Sequence, residues 1–134
     1  MLTASHHRDL IVRCIHAILV GDSSIVEGLF SPDVEAWLPA PAPSAVAVAG
    51  ESEDRRDAFI DVSVGTLQSG TIGTCTWVEW FAWVTHVGKI ASDDTILGAT
   101  GERAVLHGVT FADFDADQIV TYRQFWDCPE LDLP

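Results

Sequence analysis

Asp93 and Asp94 form the pair in this sequence most suggestive of chemistry. They lie in a run that reads as a strand near 89 to 97. Consecutive strand residues face opposite sides of a sheet, so one of the two carboxyls is turned toward whatever the sheet encloses. A carboxyl held in apolar surroundings keeps its proton above the usual range, a common route to a general acid or base. A solvated strand end or turn is the plainer alternative. Tyr122, Gln124 and Trp126 alternate along the last apolar run and share one face. Tyr122 can donate a hydrogen bond to a ligand oxygen, and the amide of Gln124 can orient a carbonyl or a water but cannot take a proton near neutral pH. Two core aromatics would leave the same trace. Leu106, Gly108 and Thr110 share a face of the preceding run, and Val105, His107, Val109 and Phe111 share the other. His107 then fits an interface better than a catalytic base.

Other candidates are weaker. Glu79 sits among Trp77, Trp80, Phe81 and Trp83, where a paired structural carboxylate or a strand end is the simpler reading, and His86 beside Gly88 reads as solvated. No cysteine pair at short spacing and no His-Glu-any-any-His unit is present, and the adjacent His6 and His7 are a poor metal site. Without a glycine-rich phosphate loop or a Ser-His-Asp arrangement either, neither metal nor cofactor is expected.

The elements that must position these residues fit one domain, 1–134, because 134 residues build a single core. Hydrophobic residues make up 48%, with five Trp and six Phe, enough for a core and an interface or pocket besides. Seven Lys and Arg face twenty Asp and Glu, and a net charge of −13 opposes binding to nucleic acid or an anionic membrane. Cys14, Cys75 and Cys128 are odd in number and widely spaced, which fits a reducing, cytoplasmic setting and small buried side chains. Leu10 to Val20 is interrupted by Arg13 and His16 and reads as neither a signal peptide nor a membrane span.

Helical spacing of Leu10, Ile11, Cys14, Ile15 and Ile18 predicts a first helix capped by Ser5 and stopped by Gly21. A second, shorter helix starts at Asp22 or Ser24, where Ser24 and Glu27 fit a capping box, and carries Ile25, Val26, Leu29 and Phe30. Val34 to Leu38 predicts a short strand ended by a proline-rich loop. From Ser52 the spacing of Ala58, Phe59, Val62 and Leu67 predicts a third helix that leaves at Gly70 and Gly73. Strands follow near 74 to 86, 89 to 97, 103 to 114 and 118 to 127. The strand from Cys75 to Val87 is apolar on both faces, with Trp77, Phe81 and Trp83 on one and Val78, Trp80 and Val84 on the other. Helices cover one side of such a sheet, so a second copy of the chain is expected on the other, making a homodimer.

This order, with Val20-Gly21-Asp22, Leu29-Phe30-Ser31-Pro32-Asp33, Gly50, Thr100-Gly101 and the run from Asp117-Gln118-Ile119-Val120 to Phe125-Trp126-Asp127, resembles the SnoaL-like branch of the nuclear transport factor 2-like (NTF2-like, cystatin-like) superfamily over nearly the whole chain. The resemblance implies an α+β, cone-shaped fold, three N-terminal helices packed on a curved, mainly antiparallel sheet. It also implies a pocket for a small apolar, oxygen-bearing molecule, as in polyketide cyclases and limonene-type epoxide hydrolases. By this resemblance Tyr122, Gln124, Trp126 and Thr110 point into the cone, at least one of Trp37, Trp77 and Trp80 lines it, and Asp93 rather than Asp94 is the inward acid. Several family positions differ. Gln124 stands where the catalytic aspartate would be, Ala91 where the arginine paired with the position of Asp93 would be, and Glu35 and Trp37 where a tyrosine and an asparagine would be. The ketosteroid isomerase tyrosine and aspartates are matched by Cys14, Leu38 and Thr110. The resemblance therefore implies either an isomerase, cyclase or hydrolase resting on Asp93, or a binding module that has lost catalysis.

Overall fold

A computed structural model of the chain describes residues 4–37, 41–42, 59–86, 90–92, 95–97 and 103–127. Helix α1 spans Ala4–Val20, so Ser5 lies inside it rather than ahead of it. Ile11, Cys14, Ile15 and Ile18 are fully buried, as their helical spacing requires. Gly21, at φ 76°, closes the helix. Its N–H donates to the Ile18 carbonyl at 3.3 Å and the Asp22 N–H to the Ala17 carbonyl at 2.8 Å, which satisfies two of the helix's last carbonyls. Asp22 also starts α2 (Ser23–Leu29), its carboxylate accepting from the Ile25 N–H at 3.3 Å. The cap is thus Asp22, and Ser24 donates its hydroxyl to that carboxylate at 2.9 Å.

Strand β1 (Phe30–Trp37) follows directly and is longer than the expected segment. The third helix requires a correction. Phe59–Ile72 is a strand, β3, paired along its length with β4 (Cys75–His86), and residues 52–58, where the helix was expected to start, lie outside the described residues. Phe59, Val62 and Leu67 do fit a helical stripe. Ile60, Val62, Val64 and Thr66 are β-branched, however, and Gly65 and Gly70 weaken a helix interior. In the strand, Val62 and Val64 turn to the core with a period of two, and a register slip at Asp61, φ 54°, lets Phe59 reach it as well. Gly73, at φ 60°, sits in the turn to β4.

Strands β7 (Arg103–Asp115) and β8 (Gln118–Asp127) complete a six-stranded mixed sheet with β2 (Pro41–Ala42), in the order β2-β1-β8-β7-β4-β3. Among the described residues only β1 and β8 pair in parallel. The strand expected over 89 to 97 is instead two short strands, β5 (Ile90–Ser92) and β6 (Thr95–Leu97), paired with each other in a separate ladder. Among the described residues no helix is long and apolar enough to cross a membrane.

Helix α1 packs on β3, β4 and β7 and buries one face of the sheet, including Val78, Trp80, Ala82, Val84, Leu106 and Tyr122. Gly108 makes part of this packing possible. A Cβ there would lie 2.5 Å from the Trp80 ring and 2.5 Å from the Phe125 carbonyl oxygen. Gly108→Ala should therefore destabilise the protein by about 1–3 kcal/mol through overpacking. Gly28 in α2 has nothing within 4 Å of the corresponding position, so Gly28→Ala should stabilise by about 0.5–1 kcal/mol. Urea midpoints of the two variants test both signs.

Burial pushes the Cys14 thiol from its ordinary 9.0 up to about 12, opposed by a hydrogen bond with Tyr122. The folded value is the raised one, so this contribution to stability is complete below pH 9 and declines as pH climbs from 9 toward 12. Over that window wild type should lose about 1.4 kcal/mol per pH unit more than Cys14→Ala does, read from denaturation curves.

Candidate functional site: the concave face of the sheet

The strand period of two decides which side chains meet on the concave face. On β8, Tyr122 and Gln124 are buried and Trp126 is half-buried, while Arg123 and Phe125 are exposed on the other side. On β7, Ala104, Leu106, Thr110 and Ala112 are buried with them. The antiparallel ladders align these residues in rows across the sheet. Val78, Thr110 and Gln124 form one row, and Trp80, Gly108 and Trp126 form the next.

Polar groups in this apolar setting are bonded to one another. Trp80 Nε1 donates to Thr110 Oγ1 at 3.0 Å, an arrangement that needs the indole to lie across Gly108. Tyr122 donates its hydroxyl to Gln124 Oε1 and is hydrogen-bonded to Cys14 from α1. The Tyr122 ring meets Phe30 edge to face, with centroids 5.2 Å apart. Gln124 is 1% exposed, and its amide nitrogen has no hydrogen-bond partner among the described residues. Turning the amide over exchanges the two atoms without removing the imbalance, since Tyr122 engages only one end. An unsatisfied buried polar group costs about 1–3 kcal/mol, so a ligand or water oxygen accepting from that nitrogen gains what the fold has left unmade.

The structure thus brings Thr110, Tyr122, Gln124 and Trp126 onto one face. Trp37 is not with them. It pairs in register with Arg123, on the side opposite Ala36 and Tyr122, and is 38% exposed. The one-residue difference follows from β1 running through Ala36, which packs on the core in its place. Asp93 and Asp94 lie outside the described residues. Cys14 was not singled out as a site residue from sequence, and Trp80 was one of three tryptophans, with Trp37 and Trp77, of which at least one was expected to line the cone. Their signals were the alternation of Trp80 with Val78 and Val84, the glycine opposite it, and the place of Cys14 on the buried stripe of α1. Among the described residues the side chains buried on this face are all neutral, and no group of three or more His, Cys, Asp or Glu is placed to hold a metal.

No family model matches the chain, and no curated protein matches it in sequence. Solved structures do match. AclR from Streptomyces galilaeus, assigned as a hydroxylase, is 17% identical at a TM-score of 0.73, with 93% of this chain and 91% of that one covered. A protein of Jannaschia sp. CCS1 assigned as a SnoaL-like polyketide cyclase is 11% identical at 0.72, with 90% and 85% covered. IdmH from Streptomyces antibioticus, assigned as a polyketide cyclase, is 18% identical at 0.69, with 90% and 91% covered. At such identities the likeness is one of fold: the chain has the α+β, cone-shaped NTF2-like fold found in SnoaL-like proteins.

Proposed function

We propose that the protein is a small-molecule pocket protein of the SnoaL-like kind, which takes an apolar, oxygen-bearing metabolite against the concave face of its sheet and acts on it as an isomerase, cyclase or hydrolase. The observation that carries this reading is the buried Gln124 amide, held at one end by Tyr122 with the other end uncommitted among the described residues. Such an amide is a fixed donor for a carbonyl, hydroxyl or water oxygen. Thr110, tied to Trp80, continues the polar row, and Trp126 offers an aromatic surface to the apolar body of the ligand. Gln124 takes no proton, so acid/base work falls to Asp93. Lacking the arginine that accompanies its counterpart in the hydrolases, Asp93 would act as a proton donor, which suits isomerisation or cyclisation better than water activation.

One observation favours a second reading, a binding or accessory module without catalysis. The described buried side chains of this face are neutral throughout, so the face can recognise a ligand without any group that titrates near neutrality. Native mass spectrometry of the purified protein should reveal a co-purifying apolar molecule, and adding it back should change tryptophan emission less in Trp126→Ala than in wild type. With that molecule in hand, Asp93→Asn should lower turnover by about 100-fold while binding is nearly kept. Gln124→Ala should weaken binding and rate together. Binding without turnover in wild type supports the second reading, and no emission change with steroid, terpenoid or aromatic probes contradicts both.

A further inference from the structure

We propose that Cys14, acting through Tyr122, fixes which end of the Gln124 amide is left for a ligand, and so selects molecules that bring an acceptor oxygen over molecules that bring only a donor. The inference rests on the proposed reading that a small molecule lies against the concave face, and it narrows that molecule to the carbonyl class. Three buried side chains form a hydrogen-bonded row, Cys14 from α1 and Tyr122 and Gln124 from β8. The Tyr122 hydroxyl is held in place by its ring, which packs edge to face on Phe30. It has a single proton and gives it to Gln124 Oε1. Toward Cys14 the hydroxyl can then only accept, and the thiol, pushed up to about 12, keeps the proton needed to donate. With Oε1 taken, the end of the amide without a partner among the described residues is Nε2, which carries two N–H groups and accepts nothing. Thr110, beside Gln124 in the ladder, is itself engaged by Trp80 Nε1.

The same three groups could run in the opposite sense. Gln124 Nε2 would donate to the Tyr122 oxygen, Tyr122 would donate to the Cys14 sulfur, and Oε1 would meet the ligand as an acceptor. The two senses differ in what receives the tyrosine proton, a carboxamide oxygen in one and a thiol sulfur in the other. Sulfur is the weaker acceptor, so a cysteine here holds the amide with its N–H groups free for the ligand. A serine would remove that bias, because a hydroxyl accepts as readily as it donates. An alanine would strengthen it, because the reversed row would leave the buried tyrosine proton with no acceptor. Cys14 is thus a positioning residue that acts on the ligand through Tyr122 and Gln124.

Carbon-13 NMR of the Gln124 side-chain carbonyl reads the sense of the row without a ligand. A carbonyl that accepts a hydrogen bond resonates downfield, so Tyr122→Phe and Cys14→Ser should each move the signal upfield, whereas Cys14→Ala should leave it in place. Equilibrium dialysis with three tricyclic probes of one shape then reads the selection. Fluorenone brings a carbonyl, carbazole only an N–H, and fluorene neither. Wild type and Cys14→Ala should hold fluorenone about 10-fold more tightly than carbazole, whose N–H would face another donor. Tyr122→Phe and Cys14→Ser should cut that ratio to about 3-fold or less. Circular dichroism checks folding, and should Cys14→Ser not fold, Tyr122→Phe carries the same comparison. A carbon-13 signal that Tyr122→Phe leaves unmoved would overturn the assigned sense of the row. Carbazole held as tightly as fluorenone by wild type, or a ratio that no variant changes, would overturn the selection. If none of the three probes binds, the reading of a ligand on this face fails and the selection with it, while the carbon-13 shifts still decide the sense of the row.

Discussion

Strand β4 has no polar face, and the rest of the molecule is arranged around that constraint. Val78, Trp80, Ala82 and Val84 are buried on one side, while Trp77, Phe81 and Trp83 occupy the other. A strand of this composition is stable only when both sides are covered. Helix α1 covers the first with Ile11, Cys14, Ile15 and Ile18. Glycines on the neighbouring strands let the aromatic rings lie flat, Gly108 under Trp80 on the concave side and Gly65 and Gly70 under Phe81 and Trp77 on the convex side. The two faces thus use the same device. On the concave side it brings the indole N–H onto Thr110, and on the convex side it produces a broad aromatic surface.

Among the described residues the concave face is apolar, and its buried polar side chains are few and neutral. Trp80 with Thr110, and Cys14 with Tyr122 and Gln124, link α1, β4, β7 and β8 through side-chain hydrogen bonds that low polarity strengthens. Such a network is better suited to recognising shape and a single oxygen than to stabilising charge. The thiol of Cys14, pushed up to about 12, belongs to that neutral set and is a structural partner of Tyr122 rather than a nucleophile. The amide of Gln124 is left half-used among the described residues, which makes it the point where recognition and any chemistry would meet.

Much of this was legible in the sequence because burial follows period. The stripe on α1, the parity of Thr110 on β7 and of Tyr122, Gln124 and Trp126 on β8, and the double-faced β4 all come from residue spacing. The third helix was misread because Phe59, Val62 and Leu67 satisfy a helical period while Val62 and Val64 satisfy a strand period. Pairing with β4, which no local pattern reveals, decides between them. Trp37 was placed one residue out of phase, since the register of a parallel pair rests on contacts distant in sequence. The bond from Trp80 to Thr110 joins positions thirty residues apart, and the glycine that permits it reads, in sequence, as a weak point in a strand.

The central claim, that the Gln124 amide donates to a bound oxygen, is tested most directly by nitrogen-15 NMR of the Gln124 side-chain amide. Its signals are assigned by their loss in Gln124→Glu. Titration with an apolar ketone that binds should move one amide proton downfield and slow its exchange with solvent, while the matching hydrocarbon without the oxygen leaves it in place. Identical responses to ketone and hydrocarbon, or binding with no change at Gln124, would contradict the account.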